Sequence, residues 1–323
     1  MIVPPPTPNR PLNSPAAVPI TSSFGRRSRV TAAILEADES GEGWRMSEAT
    51  GAASELTRLL DPIRADPAAA ALLFDIDGTL AAIVPDPEDA AVPAETRDVL
   101  RELAARFSLV ACVTGRRALE ARRMVGVEEL TYSGNHGLEL LRPGAADPEL
   151  DPAVARDARR AREFVLELDA EDVSAAGLRL ESKGPIQALH WRGAADEAAA
   201  EGHARRIASW AEAAGLVPHW GRKVLEIRPH GDIDKGTAVE RLLAQNDTSS
   251  ALFGGDDRGD LAAFDTLGRL LEAGKLGEVV RIGVVSDEGP PELAQRADAT
   301  VEGTEGFLRA LRILASPAPA PSG

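Results

Sequence analysis

Short apolar segments alternate with helical segments along most of this chain, and this alternation restricts the fold more than any other feature. The segments "ALLFD", "SLVACVT", "LTYSG", "ALFGG" and "VVRIGVV" have the apolar runs of buried strands. Between them, "PAETRDVLRELAARF", "RALEARRMV", "KGTAVERLLAQ" and "DLAAFDTLGRLLEA" place apolar residues at helical spacing. Strands that alternate with helices predict a doubly wound α/β fold around a parallel sheet.

Residues 140–228 interrupt this rhythm. The pattern there predicts, in order, a helix over 152–169, strands near 177–181 and 186–192, a helix over 195–214 and strands near 216–228. We therefore expect a core made of residues 51–139 and 229–315, into which 140–228 are inserted as a separate α+β cap domain.

The two ends of the chain differ from the rest in composition. The first twenty residues contain seven prolines, and the chain closes with "SPAPAPSG". Such segments bury too little apolar surface to offset their ordering entropy, so we expect 1–50 to be a disordered arm and 316–323 a disordered tail. A docking arm for a partner is the alternative for 1–50, and Met46 is a second position at which translation could start.

Charge and cysteine content exclude several classes of protein. The formal net charge is −15 over 323 residues, and the expected folded part has no basic stripe, which argues against nucleic-acid binding. The single cysteine, Cys112, excludes an intrachain disulfide and a cysteine-based zinc cluster, and it lies in the apolar run "LVACV" as strand filler. No apolar stretch is long enough to span a bilayer, so we expect no membrane contact and a cytoplasmic location.

Two aspartates, Asp75 and Asp77, follow the first buried strand in "ALLFDIDGTL". At the carboxyl end of a parallel strand they lie where open α/β sheets bind ligands. The alternative is a simple turn, with Gly78 supplying a positive φ angle. An EF-hand loop fits poorly because that loop follows a helix rather than a strand.

Three further polar fragments are expected at the carboxyl ends of core strands: "VTGR", "DKGT" and "GGDD". Each fragment alone is compatible with a turn or a solvated helix start. Together and in this order, the fragments resemble the haloacid dehalogenase superfamily of phosphotransferases over about residues 70 to 315. The resemblance places its four motifs at Asp75 with Asp77, at Thr114, at Lys235, and at Asp256 with Asp257. It implies that superfamily's doubly wound core with an inserted cap.

Phosphate monoester hydrolysis gives each of these residues a role. Asp75 fits the nucleophile that forms an aspartyl-phosphate, and Asp77 fits the acid that protonates the departing alcohol and then activates water. Thr114 can hydrogen-bond a phosphoryl oxygen, and Lys235 can place positive charge beside it. We also expect Gly115 and Arg116 to contact the substrate.

Clustered carboxylates that face a phosphate dianion require a hard cation. Oxygen ligands and a phosphate favour Mg²⁺, for which we expect the Asp75 carboxylate, the Asp77 backbone carbonyl and Asp256 as ligands. Asp257 is either a further ligand or a group that orients Lys235.

The inserted block is similar to the cap of trehalose-6-phosphate phosphatases. The similar phrases are "YSGNHGLE", "LESKG" followed by "LHWR", "VLEIRP" running into "DKGTAV", and "GGDDRGD". The resemblance implies hydrolysis of trehalose 6-phosphate. Two positions depart from that family, Gly259 in place of threonine and Ala263 in place of a frequent acidic residue, and both lie beside the expected metal loop.

Strand alternation in the cap predicts one charged face and one apolar face. The charged face holds Arg179, Glu181, Lys183, His190, Arg192, Glu226 and Arg228, and the apolar face holds Leu178, Leu180, Leu189, Trp191, Leu225 and Ile227. The family's sugar-binding residues match Glu181, Lys183, Arg192 and Glu226. A solvated sheet face with incidental charges is the alternative. Asn135 and His136 lie at the junction of core and cap, where we expect substrate contact, with hinge support as the alternative for His136.

Other functions share parts of this pattern. Sucrose-phosphate and mannosyl-3-phosphoglycerate phosphatases have the same core and a related cap. A phosphomutase would share the aspartyl-phosphate, and a silent regulatory subunit would keep the fold. The expected partner is a small sugar phosphate, and the sequence leaves open whether a trehalose-6-phosphate synthase also binds.

Overall fold

The computed structural model of the protein describes residues 30–31, 45–86, 89–229, 233–286 and 289–317. Most of the predicted arm and the last six residues of the predicted tail lie outside these ranges. Helix α1 already begins at Arg45, so the predicted boundary of the arm at residue 50 is too late.

The larger of two sheets forms the core and has nine strands within the described residues. Numbered in chain order, these strands are β1 (Val30–Thr31), β2 (Ala70–Phe74), β3 (Leu109–Val113), β4 (Thr131–Gly134), β5 (Glu139–Leu141), β6 (Glu149–Leu150), β11 (Ser250–Gly255), β12 (Glu278–Val285) and β13 (Ala299–Glu302). Their spatial order is β1-β13-β12-β11-β2-β3-β4-β5-β6. In this spatial order, every pair of neighbouring strands from β1 through β4 is parallel. The last two pairs, β4 with β5 and β5 with β6, are antiparallel.

Ten α-helices connect and cover the strands in the described part of the chain. They are α1 (Arg45–Ala65), α2 (Ala94–Ala104), α3 (Ala118–Val125), α4 (Pro152–Leu166), α5 (Ala170–Ala175), α6 (Glu197–Ala213), α7 (Lys235–Ala244), α8 (Asp260–Glu272), α9 (Pro291–Arg296) and α10 (Gly303–Ala315). No helix among these residues combines the length and apolar composition needed to cross a membrane.

Strand β2 is buried on both faces, which explains its continuous apolar run. Leu72 and Phe74 pack into one apolar layer, which holds Cys112 and side chains of α1, α2, α3 and α10. Leu73 packs into a second layer with side chains of α7, α8 and α9. Helices on both faces of a parallel sheet confirm the predicted doubly wound α/β core.

The inserted block forms its own antiparallel sheet of four strands in the order β7-β8-β10-β9. Its strands are β7 (Arg179–Lys183), β8 (Ile186–His190), β9 (Val217–Gly221) and β10 (Val224–Arg228). One face packs against α4 and α6 through an apolar cluster that includes Leu189, Leu225 and Ile207. This arrangement matches the predicted α+β cap, and the short helix α5 is an element that the sequence pattern missed.

Two details of the cap differ from the expectation. Strands β5 and β6 pair onto the core sheet, so that sheet continues to Leu150 and the cap begins later than residue 140. Leu180, expected on the apolar face, is 44% exposed. Because β7 is an edge strand of the cap sheet, it lacks a neighbour that would cover this side chain.

Candidate active site

The carboxyl ends of β2, β3 and β11 meet at one edge of the core sheet because these strands are adjacent and parallel. Asp75, Thr114 and Asp256 directly follow the three strands. Lys235 does not follow a core strand as predicted but opens α7, after the cap strand β10. A cleft of about 580 Å³ lies at this edge. Of the residues predicted for the site, its wall contains Asp75, Asp77, Thr114, Gly115, Arg116, Asn135, His136, Glu181, Lys183, Lys235, Asp256 and Asp257, but neither Arg192 nor Glu226.

Lys235 is a buried ammonium group surrounded by carboxylates. Its Nζ lies 3.0 Å from Asp75 Oδ2, 2.7 Å from Asp260 Oδ1 and 3.5 Å from Asp257 Oδ1. Burial opposes its charge, but the three carboxylates outweigh burial and raise the pKa of Lys235 above its usual range. The side chain therefore keeps its charge and holds it beside Asp75.

Asp260 is a site residue that the sequence reasoning did not select. It is fully buried, and its Oδ2 accepts hydrogen bonds from the backbone N–H groups of Asp256 (2.8 Å) and Asp257 (2.9 Å). Its other oxygen accepts from Lys235. An acid three or four residues after an Asp-Asp pair, at the start of a helix, is a local capping signal that could have revealed it.

Burial changes the acidity of the carboxylates in the cleft. It raises the pKa of Asp75 to about 6, against the opposing charge of Lys235. Burial, together with the neighbouring Asp260 carboxylate, raises the pKa of Asp256 to about 7. The raised pKa values mean that this cluster takes up a proton, or another cation, more readily than free carboxylates do.

Three carboxylates are close enough to hold a metal ion. One oxygen from each of Asp75, Asp256 and Asp260 lies within 4.8 Å of the others. Asp260 already uses both oxygens to hold Lys235 and the backbone after β11, whereas Asp256 accepts a hydrogen bond from the Thr79 hydroxyl at 3.1 Å. Clustered oxygen donors fit a hard divalent cation, with Asp75 and Asp256 as the better ligands.

The loop after β3, Thr114–Arg116, is folded against the first motif. Thr114 is buried, and its Oγ1 accepts a hydrogen bond from the backbone N–H of Arg116 at 3.2 Å. The Arg116 side chain reaches the Asp77 carboxylate and donates two hydrogen bonds to it. The sequence predicted that Arg116 contacts the substrate, whereas in the structure its guanidinium is paired with Asp77.

Asn135, His136 and Gly137 form a tight turn between the core strands β4 and β5, with successive φ angles of 48°, 59° and 113°. Non-glycine residues are uncommon in this region and often belong to functional sites. The imidazole of His136 lies against Gly115, where a built Cβ would be 2.8 Å from Cε1. Burial and the nearby positive charges of Lys235 and Arg228 lower the pKa of His136.

The charged cap face meets the core at this cleft. Lys183 Nζ lies 3.2 Å from Glu226 Oε1, and Arg228 donates to Glu226 Oε2 at 2.9 and 2.6 Å. Burial opposes ionisation of Glu226, but Arg228 and Lys183 outweigh it and lower the pKa of Glu226. On the same face, His190 Nε2 lies 2.8 Å from Glu181 Oε2.

Three more positions singled out in the sequence are Arg192, Gly259 and Ala263. Arg192 follows β8 with an exposed side chain and does not line the cleft. Gly259 immediately precedes α8, and a Cβ built on it would lie 3.1 Å from Asp257 Oδ1, so this position lies beside Asp257 as expected. Ala263 is buried inside α8 in the second apolar layer.

Sequence comparisons identify similar proteins. The model of the trehalose-phosphatase family matches residues 73–295. A trehalose 6-phosphate phosphatase of Zea mays is 33% identical over 242 residues, which cover 69% of this chain and 64% of that protein. A trehalose-phosphate phosphatase of Mycolicibacterium paratuberculosis is 34% identical over 238 residues, which cover 69% of this chain and 57% of that protein. The alignments therefore span less than two thirds of each relative.

Solved structures with the same fold include related proteins. The C-terminal domain of a trehalose-6-phosphate phosphatase of C. albicans aligns with a TM-score of 0.55 at 19% identity, over 80% of this chain and 96% of that one. A trehalose-6-phosphate phosphatase of Aspergillus fumigatus aligns with a TM-score of 0.52 at 22% identity, over 80% and 97% of the two chains. At these identities, the likeness establishes the fold alone.

Proposed function

The chain belongs to the trehalose-phosphatase family, and we propose that it hydrolyses trehalose 6-phosphate to trehalose and phosphate through an aspartyl-phosphate. One observation carries the proposal. Asp75 Oδ2 lies 3.0 Å from Lys235 Nζ, in a cleft that Glu181 and Lys183 of the cap also line. A phosphate-transfer site and a polar sugar-binding wall thus share one cleft.

Each half-reaction uses residues that the structure brings together. In the first, a carboxylate oxygen of Asp75 attacks phosphorus, the bond from phosphorus to the sugar oxygen breaks, and Asp77 gives that oxygen a proton. In the second, Asp77 takes a proton from water, and the water oxygen attacks phosphorus and releases Asp75. Lys235 and Thr114 stabilise the charge on the phosphoryl oxygens.

A magnesium ion fits this proposal. The Asp75 and Asp256 carboxylates would hold it, together with the backbone carbonyl of Asp77. When bound, Mg²⁺ neutralises phosphate charge and supports the approach of the two anions. Asp257 is the less suitable ligand because its side chain is 57% exposed and lies 3.5 Å from Lys235.

The cap supplies the contacts to the sugar in this proposal. Carboxylate and ammonium groups recognise hydroxyls by hydrogen bonds, and Glu181 and Lys183 offer both kinds at the cleft wall. Glu226 lies behind Lys183 and orients its ammonium group. Arg192 would have to move toward the cleft to take part. A cytoplasmic location is also proposed, from the expectation set by the lack of a long apolar stretch in the sequence.

A phosphate-release assay over a panel of sugar phosphates tests the proposal. Trehalose 6-phosphate should give the highest kcat/KM, ahead of sucrose and mannosylglycerate phosphates. Phosphate exchange between sugars without net release would instead indicate a mutase, and no turnover of any member would indicate a regulatory protein.

Cap variants test the assignment of the sugar wall. Glu181→Gln and Lys183→Ala should lower kcat/KM for trehalose 6-phosphate by about ten- to a hundredfold, the effect of one lost hydrogen bond to a charged group. Turnover of p-nitrophenyl phosphate should change little, because this ester lacks the sugar. Equal losses with both substrates would contradict sugar recognition by this face.

A further inference from the structure

Glu139 is a buried carboxylate that none of the steps above uses. It begins β5 just after the turn formed by 135–137, and only 2% of it is exposed. Its Oε2 accepts a hydrogen bond at 2.9 Å from the backbone N–H of Ala118, the first residue of α3. Burial raises the pKa of Glu139, and the nearby Asn135 side chain opposes this rise. The hydrogen bond from Ala118 holds Glu139 against α3, the helix that follows the Thr114–Arg116 loop.

The other oxygen of Glu139 faces the cap. Gly184 lies in the turn between β7 and β8 with φ of 70°, and a Cβ built on it would lie 2.2 Å from Glu139 Oε1. One residue earlier, the backbone carbonyl of Lys183 accepts a hydrogen bond from Asn135 Nδ2 at 2.9 Å. The cap turn Lys183–Gly184 therefore sits directly on Glu139 and Asn135.

The core turn formed by residues 135–137 also contacts the Thr114–Arg116 loop. The backbone N–H of Asn135 donates to the Arg116 carbonyl at 2.8 Å, and that of His136 donates to the Thr114 carbonyl at 2.9 Å. Asn135 thus contacts both the Thr114–Arg116 loop and Lys183, whose side chain is proposed to bind the sugar. Glu139 contacts the helix that follows this loop and the neighbouring cap residue Gly184.

We propose that Glu139, with Asn135, is a positioning residue that couples the seating of the cap turn Lys183–Gly184 to the geometry of the Thr114–Arg116 loop. This inference rests on the proposed function. A sugar bound by Lys183 holds the turn on Glu139 and aligns the phosphate over Asp75. A phosphate ester without the sugar gains nothing from this contact. The coupling therefore converts sugar binding into a higher kcat.

Two variants break the contact from opposite sides. In Glu139→Gln, an amide oxygen can still accept from the Ala118 N–H, while an uncharged NH₂ group replaces the carboxylate oxygen that lies against Gly184. In Gly184→Ala, the added Cβ pushes the turn away from Glu139. Each should lower kcat/KM for trehalose 6-phosphate by about ten- to a hundredfold, mainly in kcat, with less than about a threefold change for p-nitrophenyl phosphate. The double variant should lose no more than the worse single one.

Tyr132→Phe is the matched control. Tyr132 lies on β4, the strand next to β5, and its hydroxyl donates a buried hydrogen bond to the Val127 carbonyl. The substitution removes this bond and does not touch the cap turn. It should lower the unfolding temperature and leave the ratio of the two kcat/KM values unchanged. Equal losses on both substrates, additive losses in the double variant, or a changed ratio in Tyr132→Phe would overturn the coupling.

Failure of the proposed function is recognised separately. If the wild type prefers another sugar phosphate of the panel, the trehalose assignment is wrong, and the same variants assayed on the preferred sugar decide the coupling by the same criteria. If the wild type hydrolyses no sugar phosphate better than the aryl ester, both the proposed function and the coupling through Glu139 are overturned.

Discussion

Arg116 donates two hydrogen bonds to the carboxylate of Asp77, one from Nε at 2.7 Å and one from Nη2 at 2.6 Å. This forked pair fixes the plane of the carboxylate, which is otherwise one-third exposed. The proposed acid is thus oriented by a residue from the next motif before a substrate binds.

Arg116→Gln tests this orientation by its dependence on the leaving group. A sugar alkoxide needs a proton from Asp77, whereas p-nitrophenolate leaves without one. The variant should therefore lose about tenfold or more in kcat for a sugar phosphate and less for p-nitrophenyl phosphate. Steady-state kinetics on both substrates measure this. A loss seen only in KM, and equal for both, would mean that Arg116 contacts the phosphate instead.

Asp75→Asn should fold and lose turnover. A neutral amide is a poor nucleophile, so kcat should fall to below about one thousandth of the wild-type value. The unfolding temperature at pH 8 should be close to that of the wild type, because Lys235 keeps Asp260 as a partner at 2.7 Å. Retention of most activity by the folded variant would reject the nucleophile assignment.

Magnesium affinity should depend on pH. Burial raises the pKa of Asp75 to about 6 and that of Asp256 to about 7, so protons compete with the metal below these values. Titration calorimetry should show affinity that rises between about pH 5 and pH 8 and then levels off. Chelation should abolish activity, and added Mg²⁺ should restore it. Full activity without any divalent cation would contradict the site.

The raised pKa of Asp256 also affects the stability of the metal-free protein. The folded state keeps a proton on this carboxyl that the unfolded chain releases near pH 4, so its contribution to the free energy of unfolding falls as pH rises from about 4 to about 7. Asp256→Asn lacks this titration. In urea with a chelator, the variant should therefore gain stability relative to the wild type over this range, and a constant difference would contradict the assignment.

Asp260 and Asp257 form a matched pair for mutation. Asp260→Asn weakens the contact to Lys235 and the two hydrogen bonds from the backbone N–H groups of Asp256 and Asp257. The variant should therefore have a lower kcat and a lower unfolding temperature. Asp257→Asn changes a side chain that is 57% exposed and should cost less in both. The reverse order of effects would indicate that Asp257 is the essential partner of Lys235.

The sequence alone predicted the fold class and most of the residues that gather at the cleft. The apolar run that ends at Phe74 specified a strand buried on both faces, and parallel neighbours bring their carboxyl ends to one edge. Any polar residue directly after such a strand must lie near the others, which placed Asp75, Thr114 and Asp256 together. The role of each in catalysis stays a prediction.

Only the tertiary structure decided which side chains touch. The pairing of Arg116 with Asp77, the position of Glu139 beneath Gly184, and the exposure of Arg192 have no counterpart in any local pattern. Strand periodicity gives the face on which a side chain lies, and for that reason it grouped Arg192 with Glu181. It does not give the lateral neighbour, because contacts between residues 39 or 45 positions apart depend on how the loop after β3 and the cap turn pack in space.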